Sequence, residues 1–442
     1  MVGGSAAGLA AALRARRRCP GLDITVVEQS RRIATANCAI PAFLDGRLEK
    51  IESLENLTAA SAAEQHGLNV LTGHQALEIH PVNHLLKVRN LSTDQVFDLP
   101  YHRLVLATGA RPIRSNLPNV GARGIFTLRN LDDAQDLRNY LDCRRPSQFV
   151  VIGTGTIAQV CAAALRSYGM EVLLIGLGSE LMEDLEEPIS RRVSETLSAG
   201  GISLYFTDNL HGFKVSLDNE VEGVETAGRT FSCQGVLIAV GVEPNSDLAQ
   251  TAGIGLGVQG CVRIDRHLMT SRQAIFACGD CTHTTLRITH KPFYWPLATT
   301  ASRQGRQAGE SASGGQGEDP GTLAARIWRC FGLQVGRVGL SSSQARAADF
   351  QCNVTTVKAS SKPLHFGGDM IDLSIITDQK DGRIIGAQLA GLEGVHARLN
   401  TLCAAIAGRL TLKEIENLDL GYTPEIASLW DPVQIAARQG RK

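Results

Sequence analysis

Residues 150–165 read VVIGTGTIAQVCAAAL. An apolar run meets a turn containing Gly153 and Gly155, then continues as a helix pattern in which Ala158 takes the place of a third glycine. That strand–turn–helix order suits a dinucleotide. The glycines permit a sharp turn and close backbone approach to a pyrophosphate, and the helix N-terminus adds partial positive charge. One such turn decides little, because glycine turns before helices are common. The chain has a second, GGSAAG at residues 3–8, leading into LAAALRARRR. Here Gly3 and Gly8 hold the outer positions, Ser5 stands at the middle glycine position, and Ala6 and Ala7 fill the turn. Each helix is followed by a further strand: DITVVE, ending at Glu28, and EVLLIG, ending at Gly176. A carboxylate at Glu28 can accept hydrogen bonds from ribose hydroxyls. Gly176 offers none, and no arginine follows closely to take a 2′-phosphate, so the preference of the second turn stays open. Two such units predict an α/β architecture with two Rossmann-like domains.

Only Met1 and Val2 precede the first turn, whereas a central parallel strand normally needs about five residues. The expectation is that the true start lies upstream or that the first strand is clipped. An upstream-extended chain would then hold its dinucleotide more tightly.

The 442 residues suit about three domains. Charge balances at 44 basic and 44 acidic residues, which argues against a nucleic-acid or anionic-membrane partner. Eleven irregularly spaced cysteines are unlike a secreted disulfide framework and suit a reducing cytoplasm. The apolar start lacks a positively charged leader region. The apolar stretch 149–175 is broken by Gly153, Gly155, Gln159, Arg166 and Gly169, so no membrane span is expected. Cys278 and Cys281 form a C-x-x-C without a second pair, and the histidines do not cluster; no metal site is expected.

Four further segments narrow the reading. They are LVLATGARP at 104–112, with Thr108 and Gly109; VLIAVGVEPN at 236–245, with Gly241; AIFACGDCT at 274–282, delivering Asp280; and YWPLATTASRQGRQAG at 294–309, a helix start at Leu297 and Ala298. In this order the chain resembles the flavin-dependent pyridine nucleotide–disulfide oxidoreductases, nearly end to end. Within them it is most similar to the single-cysteine branch: coenzyme A-disulfide reductases, NADH oxidases and peroxidases, and persulfide or polysulfide reductases. That branch carries an N-C-x-x-P segment, matched by Asn37, Cys38 and Pro41, and FTLRNLDDAQDL (126–137) and LDLGYTPEIASLWDPVQIAA (418–437) also resemble it.

The resemblance implies FAD at the first turn and NAD(P)H at the second. Asp280 would meet the flavin's ribityl chain, and the helix opening at Leu297 and Ala298 would face its pyrimidine ring. It implies a flavin domain at 1–113 and 244–320, a nicotinamide domain at 114–243, and an α+β dimerisation domain at 322–442; the glycine- and serine-rich stretch 311–321 reads as a linker. The protein would be a homodimer, with Tyr422 reaching the partner's active site as an acid or hydrogen-bond donor. For coenzyme A as substrate, the branch positions include Arg14, Arg17 and Asn37. Ala42, Phe43 and Trp430 depart from the branch pattern, as do His365 and Phe366 where a second tyrosine is usual.

Cys38 has no second cysteine at C-x₂₋₄-C spacing; the nearest upstream is Cys19. It would pair with an external thiol or cycle through sulfenic acid. Reaction needs the thiolate and hence a depressed pKa, which a helix opened by Pro41 could supply. Three readings stay open. The first is reduction of a small thiol-derived substrate such as coenzyme A disulfide or a persulfide. The second is an NADH oxidase or peroxidase. The third is a flavin-binding protein with weak or lost turnover, suggested by Val160 where the family often has glutamate, by Gly176 and by the short first strand.

Overall fold

The computed structural model describes residues 1–114, 117–178, 181–207 and 209–441. The first unit is organised by a parallel sheet. Thr25–Glu28 pairs with Asn69–Thr72, and Leu104–Leu106 pairs with Ile275–Ala277. Val2 joins these two pairs by parallel bridges to Val27 and Leu106. Its neighbours complete the ladder: Val2 N donates to Val105 O (2.9 Å), Gly3 N to Val27 O (2.8 Å) and Ala107 N to Val2 O (2.8 Å). The short first strand is thus seated at the centre of the sheet.

Helix Ala6–Arg18 packs against helix Ala298–Ala312 with almost no side chain between them. A methyl group at Gly305 would collide with Ala7 O, and one at Gly309 with Ala11 O. The same step of four residues on both helices means that they run parallel. A three-stranded antiparallel sheet, His74–His80, Leu85–Asn90 and Val96–Pro100, completes the unit.

The second unit repeats this plan. Its parallel sheet runs in the order Ile202–Thr207, Glu171–Leu177, Gln148–Ile152, Gly235–Ile238, Ile125–Thr127. Central strands with both faces covered read as continuous apolar runs, as FVVI does here, buried throughout. Helices Leu131–Arg144, Thr156–Ser167 and Glu187–Ala199 accompany this sheet, with a second antiparallel three-stranded sheet at Leu210–Ser232. Two short strands, Ala110–Pro112 and Val242–Pro244, pair where the chain passes between the units.

The third unit is an antiparallel sheet in the order Arg326–Cys330, Leu333–Gly339, Ile384–Gly391, Met370–Asp378, Cys352–Ser360, covered by helices that include Val395–Ala407 and Pro432–Gln439. One apolar core runs from the second unit into it, joining Val151, Ala158 and Leu165 to Trp328, Leu333 and Val335. Residues 311–321 are more structured than a linker. Ser311 and Ala312 end the helix, and Asp319 accepts from the Thr284 hydroxyl at 2.8 Å. Among the described residues no helix is long and apolar enough to cross a membrane.

Candidate functional site

The first glycine turn begins at Gly3, whose φ of +105° a side chain would rarely adopt and where a methyl would strike Ala107 O. Ser5 is the N-cap of helix Ala6–Arg18, yet no side chain caps that end and no acid lies in its first turn. The orphan N–H groups of the first turn therefore have no side-chain cap and are available to an anion. The Glu28 carboxylate stands over the turn, accepting from Gly4 N at 2.7 Å and Ser30 N at 2.8 Å. Gly279 brings the Asp280 turn against the same helix, its missing side chain leaving room for the Ala7 methyl. Helix Ala298–Ala312 opens at Leu297 with extended backbone, again uncapped and without an acid in its first turn.

Asp280 is mostly buried and ion-pairs with Arg129 at 2.8 Å. Tyr294 donates its hydroxyl to the Asp280 carbonyl at 3.1 Å, and burial next to that carboxylate pushes the phenol far up. Thr108 and Gly109 are tied to the other strand end. Thr108 donates to Asn245 O (2.6 Å), Asn245 returns a bond to Thr108 O (2.9 Å), and Asn245 N donates to Gly109 O (2.9 Å).

Cys38 lies in a 3-10 turn, Asn37–Ala39, ahead of a helix Ile40–Leu44 of only five residues. Although the residue is exposed, the protein around its sulfur pushes the thiol pKa up. The Asp280 charge adds to that, and Arg129 pulls it back down. This differs from the depressed pKa expected beside a helix opened by Pro41. A helix this short gathers little dipole, and burial of the sulfur together with the Asp280 charge outweighs it. Asn37 Oδ1 is buried without a hydrogen-bond partner among the described residues, which leaves an acceptor for a ligand next to the thiol. Cys38, Asp280, Arg129 and Tyr294 thus form one electrostatic neighbourhood, assembled from four separate segments.

At the second turn Gly153 has φ +125°, and a methyl there would strike Ala239 O. Gly155 caps helix Thr156–Ser167, which is likewise free of side-chain caps and first-turn acids. Nothing lies within 4 Å of the position a side chain at Gly155 would take. Ala158 is fully buried against the sheet. Gly241 has φ +119° and accepts from Ile113 N at 3.0 Å. A Cβ at Gly176 would sit 2.5 Å from the Phe206 ring and 2.7 Å from the Thr154 methyl. Its register partner Phe206 occupies the place where a ribose-reading side chain would begin. Both turns therefore fit the pyrophosphate end of a dinucleotide, and the second lacks a carboxylate at that strand position.

Other expected residues lie apart. Arg14 and Arg18 share an ion pair with Glu310, at 2.7 and 3.2 Å. Arg17 is exposed and in no ion pair among the described residues. Among the described residues, the charges that shift the Cys38 thiol, Asp280 and Arg129, both lie outside the third unit. Tyr422 is 49% exposed on that unit, in the same segment as Ile426 (75%) and Trp430 (51%). The Ser428 hydroxyl bonds to Ser360 O at 3.0 Å, bringing this segment near the loop that bears exposed Leu364 and Phe366. Arg129 lies within the segment 126–137, where nothing local marks it as a site residue. An ion pair spanning 151 positions has no local signature.

The family model described as pyridine nucleotide-disulphide oxidoreductase matches residues 1–305, and that of the family's dimerisation domain matches 329–432. The chain belongs to this family. It is 30% identical over 440 residues to the NAD(P)H sulfur oxidoreductase (CoA-dependent) of Pyrococcus furiosus, covering 99% of this chain and 97% of that one. It is 26% identical over 444 residues to an NADH oxidase of Methanocaldococcus jannaschii, covering 100% and 98%. Among solved structures, the NAD-dependent persulfide reductase from A. fulgidus superposes with a TM-score of 0.95 at 30% identity, over 100% of this chain and 82% of that one.

Proposed function

We propose that the protein is an FAD-dependent NAD(P)H:disulfide oxidoreductase that reduces a small thiol-derived substrate, coenzyme A disulfide or a persulfide, through Cys38. The observation that carries this reading is the neighbourhood of Cys38: a thiol in the field of the Asp280–Arg129 pair, beside an unpartnered Asn37 acceptor. Residues 1–113 and 244–320 would hold the flavin, 114–243 the nicotinamide nucleotide, and 322–442 would form the dimer contact. The flavin, when bound, relays two electrons from NAD(P)H to sulfur.

Gly3, Ser5, Ala6, Ala7 and Gly8 would seat the flavin's pyrophosphate on the open end of helix Ala6–Arg18, with Glu28 on its ribose. Thr108, Gly109, Asp280, Leu297 and Ala298 would line the path to its ring. Gly153, Gly155, Ala158 and Gly241 would seat the nicotinamide nucleotide. The Cys38 thiolate attacks one sulfur of a disulfide RS–SR, forming Cys38–S–S–R and releasing one RS⁻, which takes a proton. Two electrons and a proton then cleave the mixed disulfide to Cys38 thiolate and a second RSH. The sum is NAD(P)H, a proton and RSSR giving NAD(P)⁺ and two RSH. Arg129 favours the thiolate throughout. Tyr422, on the exposed apolar segment of the third unit, would be buried by a second copy of the chain and donate to the leaving sulfur there. Asn37, Arg14 and Arg17 would orient the substrate; Arg17 has no competing ion pair among the described residues, and Arg14 would have to leave Glu310.

A second reading, an NADH oxidase or peroxidase that cycles Cys38 through sulfenic acid, is supported by the exposure of Cys38 and by the NADH oxidase relative. Replacing Cys38 with serine separates the two readings when disulfide reduction and oxygen consumption are followed together. Loss of disulfide reduction with residual oxygen consumption supports the first. Loss of a four-electron, water-forming oxygen reaction with no disulfide reduction in the parent protein overturns it.

A further inference from the structure

Helix Thr156–Ser167 carries a polar side chain where its buried face is otherwise apolar. Gln159 is 0% exposed and lies among Ala158, Cys161, Ala162 and Ala163. Burying an amide without partners is costly, so its bonds matter. Its Nε2 donates to Thr154 O at 2.8 Å, and its Oε1 accepts from the Trp328 indole N–H at 2.8 Å. Thr154 is the residue between Gly153 and Gly155. Trp328 lies in strand Arg326–Cys330 of the third unit and is itself buried. It is backed by the Arg326 guanidinium, 5.3 Å from its ring and 5.4 Å from the ring of Trp295, two residues ahead of Leu297.

The glycine turn is therefore held from two sides. Gly153 is seated against Ala239 O, and the carbonyl of Thr154 is tied through Gln159 to a different unit of the chain. An oriented carbonyl fixes the peptide plane between Thr154 and Gly155, and with it the direction of the Gly155 N–H at the helix entrance. That N–H is one of the groups a pyrophosphate would meet.

We propose that Gln159 and Trp328 are positioning residues that hold the second glycine turn in its dinucleotide-accepting shape, the Trp328 indole N–H acting through Gln159. This rests on the reading of that turn as the NAD(P)H site. Neither residue touches the nucleotide, and their effect falls on affinity rather than on the chemical step.

The test is anaerobic stopped-flow reduction of the bound flavin by NADH and by NADPH, in the parent protein, Gln159→Leu, Trp328→Phe and the double variant. Flavin content and thermal midpoint are followed alongside. Gln159→Leu frees the Thr154 carbonyl and orphans the indole N–H, so the half-saturating nucleotide concentration should rise about 10-fold with the limiting rate within about 2-fold. Trp328→Phe keeps a ring and removes the donor, and should raise it about 3-fold. The double variant should match Gln159→Leu, because the indole N–H reaches the Thr154 carbonyl only through the Gln159 amide and phenylalanine keeps the apolar packing. Multiplying single effects, unchanged half-saturation, or a fall in limiting rate alone would overturn the assignment. If NADH and NADPH fail to reduce the parent protein's flavin, the reading of the site falls and this inference with it. If they reduce it and the variants behave as the parent, only the inference falls.

Discussion

The two glycine turns share a backbone and differ in what stands behind them. In both, a glycine at positive φ is seated against the carbonyl of an alanine one strand away, Ala107 for Gly3 and Ala239 for Gly153. In both, the following helix starts without a side-chain cap. Around the first turn gather a carboxylate at Glu28, the Asp280–Arg129 pair and Cys38. Around the second gather Phe206, which fills the ribose-reader position, and the Gln159–Trp328 tie. The two turns share one cradle, whereas side chains from distant segments set what surrounds each.

The largest expected effect tests whether sulfur chemistry belongs to the first turn alone. Cys38→Ser should lower disulfide reduction by about 10³-fold or more, with flavin content and reduction of the flavin by NAD(P)H retained. Activity above a tenth of the parent's would break the division of labour.

Next comes the cradle itself. Gly153→Val forces a β-branched residue into positive φ and against Ala239 O. It should weaken nucleotide half-saturation by about 100-fold while flavin stays bound. Gly3→Val should instead yield protein without flavin. If either substitution removed both cofactors together, the turns could not be assigned separately.

A smaller effect sharpens the contrast at the ribose position. Gly176→Asp should overpack against Phe206 and destabilise the fold by about 1–3 kcal/mol in urea titrations. Adding Phe206→Ala should recover most of that loss. An additive loss in the double variant would contradict the packing described.

The smallest is a shift in acidity. Arg129 holds the Cys38 pKa down and Asp280 holds it up. In flavin-free protein, Arg129→Met should move the pH profile of Cys38 alkylation upward, so that labelling at neutral pH slows. Asp280→Asn should move it downward. Mass-resolved labelling with iodoacetamide distinguishes Cys38 from the other thiols, and shifts of the opposite sign would refute the charge arrangement.

Much of the fold was legible because strand–turn–helix units announce themselves locally: Gly3, Gly153 and Asp280 are each read within a dozen residues. The first strand is as short as its two residues suggested, reduced to the single bridging residue Val2. Val2 needs few neighbours in sequence because Val27 and Leu106 supply its ladder from either side. The raised pKa of Cys38 was not legible, since burial of the sulfur is its main cause and the carboxylate that adds to it lies 242 positions away in sequence. Arg129, Phe206 and the Gln159–Trp328 contact stayed hidden for the same reason. Each depends on a partner that no local spacing encodes.

The parallel crossing of helices Ala6–Arg18 and Ala298–Ala312 has a metric consequence. Gly305 lies over Ala7 and Gly309 over Ala11, so the second helix begins about six residues, or about 9 Å, before the start of the first along their shared direction. Two positive ends point the same way at a fixed stagger. Under the flavin binding proposed above, the pair would act as a ruler, and one ligand with negative centres that far apart would meet both ends at once.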